Sequence, residues 1–240
     1  MVEGRPLRED VDRFRQLLDQ ENITDLWHFT PLSHVPCILA HGAIFSIEEL
    51  ARRGLNVPPR SSRDDDIRKG VGNVVKTSTM PYWKMLTLEM GRGVPHVFFR
   101  LSTEPVLWED TSFGDRNVWE NPWTRDRSYD FARDRIFVRR NFVGSSPPEI
   151  YIETELPLAG LVRSIYPYLL DEREVLERCL CRLGIVPPVK PVTAGPRARP
   201  FPDRCHDEYV ANRNAHFQRL QGYFETVTLE SLHRGVEIEP

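Results

Sequence analysis

Long hydrophobic runs are absent from this chain of 240 residues. The longest apolar stretch lies at residues 94–99 and is interrupted by Pro95 and His96, whereas a membrane span needs roughly 20 apolar residues. The first 14 residues are rich in charge and contain no apolar core of a secretory signal. We therefore expect a soluble protein of the cytoplasm that has no membrane partner.

Cysteines are also few, and their spacing does not indicate a metal site. Cys179 and Cys181 lack the two-residue spacer of the CxxC motifs found in zinc and redox sites. Cys205 and His206 could act as a ligand pair, but no second pair lies near them in the sequence. With Cys37, these residues are expected to be reduced structural thiols, and no metal is expected.

Neither a G-x-G-x-x-G fingerprint nor a Walker loop occurs, so no Rossmann or P-loop nucleotide site is implied. A large positive charge is missing too, since the net charge is −3 and the pI is near 6.2. Any contact with nucleic acid must then be local. The basic residues do form two clusters: Arg52, Arg53, Arg60, Arg63, Arg68 and Lys69 in one, and Arg125, Arg127, Arg133, Arg135, Arg139 and Arg140 in the other.

Hydrophobic periodicity predicts an α+β protein. Helices are predicted over residues 7–21, 35–40, 47–53 and 172–183, and strands over 26–30, 74–79, 95–101, 106–108, 148–153 and 161–166. Residues 56–72 favour a loop, or a loop with one turn of helix, and 109–145 are irregular apart from a short helix and strand over 131–142. Six prolines between 187 and 202 indicate a linker before a weakly helical C-terminal segment. We therefore expect one domain at 1–186 and a linker with an extension at 187–240.

Three groups of residues could carry chemistry. His28 and Thr30 alternate onto one face of a short strand, where they could bind a ribose hydroxyl or an amide, although a strand histidine is more often structural. Arg68 comes shortly before the strand at 74–79 and could bind phosphate, with Arg63 and Arg60 as alternatives. A solvated charged loop is the simpler explanation of these arginines.

The third is Glu149, at the start of the strand at 148–153. Strand alternation places Glu149, Tyr151 and Glu153 on one face. A carboxylate at a strand head can enter a cleft, where it can stabilise positive charge on a ribose or take a proton from a nucleophile. An exposed acid at a strand edge is the alternative.

The order of these segments resembles DarT-type proteins. The segments that carry the resemblance are WHFTPL at 27–32, ILAHG at 38–42, RKG at 68–70, STMPYWKM at 78–85, VLWED at 106–110 and PEIYI at 148–152. The region from the first to the last of these segments spans more than half of the chain. None of the segments is diagnostic by itself, and the resemblance rests on their occurring in the same order as in DarT-type proteins.

The resemblance implies an ADP-ribosyltransferase-like split β-sheet with flanking helices. It implies that NAD is consumed as co-substrate, without a metal, to attach ADP-ribose to a base in single-stranded DNA. Family members are toxins, and a macrodomain antitoxin removes the mark. The roles that the resemblance implies are Glu149 and Arg68 as catalytic residues, and His28, Thr30, Arg68, Ser78 and Tyr82 as NAD-binding residues.

Several alternatives remain open from the sequence. Glu153 and Glu155 resemble the E-x-E pair of arginine-specific transferases and compete with Glu149. Arginines in the second basic cluster could contact the phosphates of a nucleic acid, and tryptophans nearby could stack on its bases. The residues expected in this role are Arg125, Arg127, Arg139, Arg140 and Trp123. Packing in the protein core would explain the tryptophans equally well. The target could instead be RNA or protein. The chain could also be an inactive binding module, or a metal-dependent nuclease that uses the acids at 64–66.

Overall fold

The computed structural model describes residues 5–55, 63–81, 92–116, 124–137, 148–192 and 206–234. The strands in these ranges are β1 (Leu26–Pro31), β2 (Ala43–Phe45), β3 (Val74–Ser78), β4 (His96–Leu101), β5 (Ser112–Gly114), β6 (Arg125–Asp126), β7 (Glu149–Glu153), β8 (Glu155–Pro157) and β9 (Val162–Pro167). The helices are α1 (Val11–Gln20), α2 (Val35–His41), α3 (Ile47–Arg52), α4 (Arg63–Arg68), α5 (Tyr129–Phe131), α6 (Leu170–Leu183), α7 (His206–Asn212), α8 (Asn214–Thr226) and α9 (Leu229–Arg234). The α+β class is confirmed.

Seven strands form one sheet in the order β6-β5-β7-β3-β1-β4-β9, and β2 pairs with β8 separately. All pairings between these strands are antiparallel. β1 is in register with β4 along its whole length, and β3 with β7 likewise. β1 and β3, however, share only the pair Trp27 and Ser78. The sheet is therefore split into two halves that join at this pair, as the resemblance implied.

The core lies on one face of the sheet, where alternate strand residues meet the helices. Val97, Phe99 and Leu101 on β4 are fully buried, and Phe14 of α1 and Leu176 of α6 pack into the same cluster. Burying a side chain of this size contributes roughly 1.5–3 kcal/mol. The opposite face carries a second buried cluster of Phe98, Tyr168 and Tyr209, and Glu149 lies on that face at the other half of the sheet.

Helix ends follow the sequence signals. α2 and α6 stop at Gly42 and Gly184, whose φ angles of 67° and 68° are left-handed and suit glycine. Asn22, the residue that follows the helix predicted over 7–21, also has a positive φ of 53°. α1 begins only at Val11, because Leu7 lies outside it, in an isolated bridge to Trp108.

The strand predicted at 106–108 is wrong. Residues Glu104–Leu107 form a 3₁₀ helix with Pro105 in its first turn. Proline has no N–H to donate to a strand ladder and suits the first turn of a helix. The apolar residues that suggested a strand are buried for another reason, since Val106 and Trp108 pack into the core.

The region at 63–68, which the sequence left as loop or helical turn, is helical. Between 109 and 145, the described residues form β5, β6, α5 and a π-helical turn over Ala132–Ile136. The expected short helix thus begins at Tyr129, and the strand expected after it falls outside the described residues. Cys37, Cys179 and Cys181 are free thiols, and Cys205 is not among the described residues.

The C-terminal helices pack on the main core. Phe217, Leu220 and Phe224 of α8 belong to the same buried cluster as the sheet residues. Arg182 on α6 donates to the carbonyls of Phe224 at 2.8 Å and Val227 at 2.6 Å. Residues 193–205 lie outside the described ranges, so a boundary at 187 stays a prediction. None of the described helices is long and apolar enough to cross a membrane.

Candidate active site

Glu149 lies in a row of residues that crosses the split sheet. It is the first residue of β7, in register with Ser78 on β3 and Gly114 on β5. Gly114 is also the partner of Arg125, and Ser78 is the partner of Trp27. Directly opposed residues of antiparallel strands share a face. Glu149 is therefore placed on the same face as Ser78, next to the join between the two halves.

The Glu149 carboxylate is buried, with 6% of the residue exposed. Its Oε2 accepts a hydrogen bond of 2.7 Å from the Tyr151 hydroxyl. Burial of a charged group is costly unless hydrogen bonds compensate for the lost water, and this bond supplies part of that compensation. Strand alternation in the sequence placed Tyr151 on this face. It did not reveal the contact, because alternation fixes the face of a side chain and not its rotamer.

His28 bridges the split between the two halves. Its Nδ1 lies 2.9 Å from the carbonyl oxygen of Lys76 on β3. A carbonyl only accepts, so Nδ1 carries the proton and donates. Thr30 is buried, and its hydroxyl lies 3.1 Å from Nδ1 of His34. The imidazole of His28 is thus tied to the strand beside Glu149, while Thr30 is tied to the turn that follows β1.

Ser78 stands where the halves meet. It is buried, and its hydroxyl donates to the carbonyl of Met80 just beyond the strand. The structure therefore places Ser78 beside Glu149 on one face at the join. His28, by contrast, pairs with Phe99 on the other face of β1 and reaches the split through the Lys76 carbonyl. Tyr82, the other residue expected to contact NAD, lies outside the described residues.

Arg68 ends α4 and is exposed. α4 is fixed to the sheet by Asp66, a buried carboxylate that accepts from Lys76 Nζ at 2.6 Å. Gly70 then turns the chain with a φ of 70° into β3. Arg68 thus lies at the C-terminal end of a helix that is tied to β3 through Asp66. Arg63 is the first residue of α4, and Arg60 lies outside the described residues.

The ion pair of Asp66 bears on the nuclease alternative. A metal cage from the acids at 64–66 would need their carboxylates to converge, whereas that of Asp66 turns to Lys76. In the ranges that the structure describes, no group of three or more His, Cys, Asp or Glu side chains could hold a metal ion.

A cleft of about 540 Å³ opens on the same face. Its lining consists of Gly70, Asn73, Ser112, Arg125, Asp126, Arg127 and Glu153. Arg125 is half-buried, and this burial lowers its pKa from the usual arginine value. Arg127 is more exposed and forms an ion pair with Glu153. Arg139, Arg140 and Trp123, which were expected to bind nucleic acid with them, lie outside the described residues.

The competing carboxylates have other surroundings. Glu153 is half-buried and paired with Arg127. Glu155 lies on β8, in the separate two-stranded sheet, and accepts from Arg53 at 3.1 Å. Glu149 alone of the three is buried in the row beside the join. This placement favours Glu149 as the reactive carboxylate.

No family model matches the sequence, and no curated protein matches it either. Solved structures do match. Thermus sp. 2.9 DarT in complex with NAD⁺ has a TM-score of 0.54 and 16% identity, with 72% of this chain and 95% of that chain covered. The same protein in complex with ADP-ribosylated ssDNA has a TM-score of 0.52 and 13% identity, with 72% and 93% covered.

This chain has the DarT fold. Thermosipho africanus DarTG in complex with ADP-ribose is a further match, with a TM-score of 0.52 and 14% identity over 65% of this chain. This chain spans about half of that longer one, 47% of which is covered. The resemblance to DarT seen in the motifs is thus confirmed at the level of the fold.

Proposed function

We propose that this DarT-fold chain is an NAD-dependent mono-ADP-ribosyltransferase that modifies a base in single-stranded DNA. The observation that carries the proposal is the buried carboxylate of Glu149 at a strand head beside the join of a split sheet. The DarT structures with a similar fold contain NAD⁺ in one case and ADP-ribosylated ssDNA in another. Both ligands support the proposed reaction and substrate.

The side chains around the join suit the parts of NAD. An imidazole fixed through Nδ1 and two hydroxyls, from His28, Ser78 and Thr30, suit ribose hydroxyls and a carboxamide. The exposed guanidinium of Arg68 suits the pyrophosphate. Tyr82 would lie against the nicotinamide. This donor and acceptor set fits the dinucleotide, and the individual roles are proposals.

The chemistry follows from the carboxylate. NAD supplies the ADP-ribosyl group, whose C1′–N bond to nicotinamide breaks with the electron pair leaving on the nicotinamide nitrogen. Glu149 stabilises the positive charge that develops on the ribose. As a nitrogen of the target base forms its bond to C1′, Glu149 accepts the proton that this nitrogen loses. Arg68 holds the pyrophosphate during the transfer.

Single-stranded DNA is the proposed substrate because a base in a duplex hides its reactive atoms. Arg125 and Arg127 line the cleft on the Glu149 face and would contact phosphates there. Arg139, Arg140 and Trp123 would extend this surface. By the resemblance, the chain would act as a toxin, and a macrodomain antitoxin would remove its mark.

The test is to incubate the purified chain with labelled NAD and separate pools of single-stranded DNA, duplex DNA and RNA. Glu149→Gln removes the charge at nearly constant volume and should abolish transfer. Glu153→Gln makes the same change on the same face of β7 and should retain most of it. If only RNA becomes labelled, the substrate is RNA and not single-stranded DNA. If both variants lose transfer equally, the specific role of Glu149 is rejected. A folded chain that binds nucleic acid but transfers no label would be a binding module.

A further inference from the structure

The Glu149 carboxylate is the end of a chain of contacts that runs across three strands. Tyr151 donates to it, Arg125 lies over the Tyr151 ring, and Ser112 accepts from Arg125. We propose that Tyr151 is a positioning residue that holds the Glu149 carboxylate for transfer, and that Arg125 and Ser112 fix the Tyr151 ring. This inference rests on the proposed function, because it assigns Glu149 the reaction.

The contact between Tyr151 and Glu149 is built into the strand. The two residues are separated by one residue on β7, so their side chains leave the same face. Tyr151 is completely buried, and its hydroxyl lies 2.7 Å from Glu149 Oε2. A hydroxyl buried this deeply is expected to have a hydrogen-bond partner, and here that partner is the candidate catalytic group.

The ring of Tyr151 is held by residues of β5, the neighbouring strand, and of β6, the next strand beyond it. Ser112 on β5 is the register partner of Tyr151. Arg125 on β6 donates from Nε to Ser112 Oγ at 2.6 Å and places its guanidinium 5.3 Å from the centre of the Tyr151 ring. That separation is within the roughly 6 Å reach of a cation–π contact. Arg125 thus has a structural role beyond the nucleic-acid contact expected from the sequence.

Holding the carboxylate has two chemical consequences. It restricts the rotamers of Glu149, so that less conformational freedom is lost when the transition state forms. A hydroxyl that donates to the carboxylate also favours its ionised form, which is the form that stabilises a cation and accepts a proton. The other titratable or charged strand residues that the register places on this face include Lys76 on β3, Glu153 on β7, Arg125 on β6, and Arg100 and His96 on β4.

Tyr151 also has an ordinary packing role that must be separated from this one. Its ring forms a small buried cluster with Val71 and Val74. The variant Tyr151→Phe keeps the ring and that packing and removes only the hydroxyl. Tyr223→Phe removes a hydroxyl from a half-buried tyrosine of α8 that packs against the main core, and serves as the matched control.

The experiment measures transfer to single-stranded DNA from labelled NAD, with kcat and KM obtained across pH 5–9 and with thermal unfolding as a check on folding. In Tyr151→Phe we expect kcat to fall about 10- to 100-fold, the range for losing a hydrogen bond to a charged group. KM for NAD should change less than about threefold. The acid limb of the kcat profile should move to higher pH, because the carboxylate loses a hydrogen bond that favours its ionised form. Tyr223→Phe should match the wild type.

The outcomes separate the two proposals. A wild-type chain that transfers nothing overturns the proposed function, and this inference with it. An active wild type whose Tyr151→Phe variant keeps both kcat and the position of the acid limb overturns the inference alone. A fall in kcat that is explained by a lower folded fraction, with the acid limb unmoved, shows that Tyr151 is only a packing residue.

Discussion

Trp27 and Ser78 form the register pair that joins β1 to β3, and it is the one pair between the described residues of these two strands. Trp27 is fixed on its own half by Phe98, edge to face at 6.1 Å, and by Tyr166 at 6.2 Å. Ser78 is fixed on the other half by its pairing with Glu149. The join thus sets how far the candidate catalytic carboxylate lies from the β1 residues.

His28 should be required for efficient use of NAD, because its side chain bridges the split between β1 and β3. His28→Ala removes the hydrogen bond to the Lys76 carbonyl, which should cost about 1 kcal/mol of stability and lower kcat/KM for NAD at least about tenfold. His216→Ala is the control, since His216 contacts Arg219 on its own helix α8. Steady-state transfer and urea unfolding measure both effects. Equal kinetics for the two variants would show that His28 is a structural histidine.

Arg68 should bind the pyrophosphate. Arg68→Ala should raise KM for NAD at least about tenfold, since charge-assisted contacts to phosphate contribute about 1.5–3 kcal/mol. Arg178→Ala removes an exposed arginine of α6 and should leave KM unchanged. Calorimetric titration with NAD gives the affinity directly. If Arg63→Ala or Arg60→Ala weakens NAD binding and Arg68→Ala does not, the role belongs to that arginine.

Glu172 should make stability depend on pH. It accepts from the Tyr209 hydroxyl and the backbone N–H groups of Tyr168 and Leu169, and Arg213 lies 3.3 Å away. Burial nevertheless raises the pKa of Glu172 from 4.5 to about 7, against the opposing effect of Tyr209, Leu169 and Arg213. Between these values the folded chain keeps a proton that the unfolded chain has lost.

The stability associated with Glu172 is therefore complete below pH 4.5 and is lost as pH rises through about 7. A tenfold change in a protonation equilibrium corresponds to about 1.4 kcal/mol, so the loss is up to about 3 kcal/mol. Urea unfolding of the wild type and Glu172→Gln across pH 4.5–8 measures it. We expect the difference between their free energies of unfolding to change in that window. Parallel curves would contradict this prediction.

The C-terminal helices should contribute to the stability of the whole domain. Leu220 on α8 is 7% exposed and packs in the main core. Leu220→Ala should cost about 2–5 kcal/mol. Leu229→Ala makes the same change at a residue that is 42% exposed and should cost less than about 1 kcal/mol. A single unfolding transition is expected in both. A separate early transition in Leu220→Ala would support a C-terminal extension that folds independently.

Local signals in the sequence determined much of this protein. Hydrophobic periodicity predicted most helices and strands, and the helices predicted over 35–40 and 172–183 end in the structure at Gly42 and Gly184. The order of short motifs indicated the split-sheet fold, and the position of Glu149 at a strand head marked the candidate carboxylate. These features depend on neighbouring residues and on strand alternation, which can be read along the chain.

Tertiary structure alone decided the rest. The contact of Tyr151 with Glu149 depends on rotamers, and the packing of Arg125 over Tyr151 joins residues 26 positions apart through the pairing of β5, β6 and β7. The burial of α8 likewise depends on contacts with residues that are distant in the sequence. The wrong strand prediction at residues 106–108 also reflects missing tertiary information. A short apolar run predicts that its residues are buried, but it does not predict whether their backbone is helical or extended.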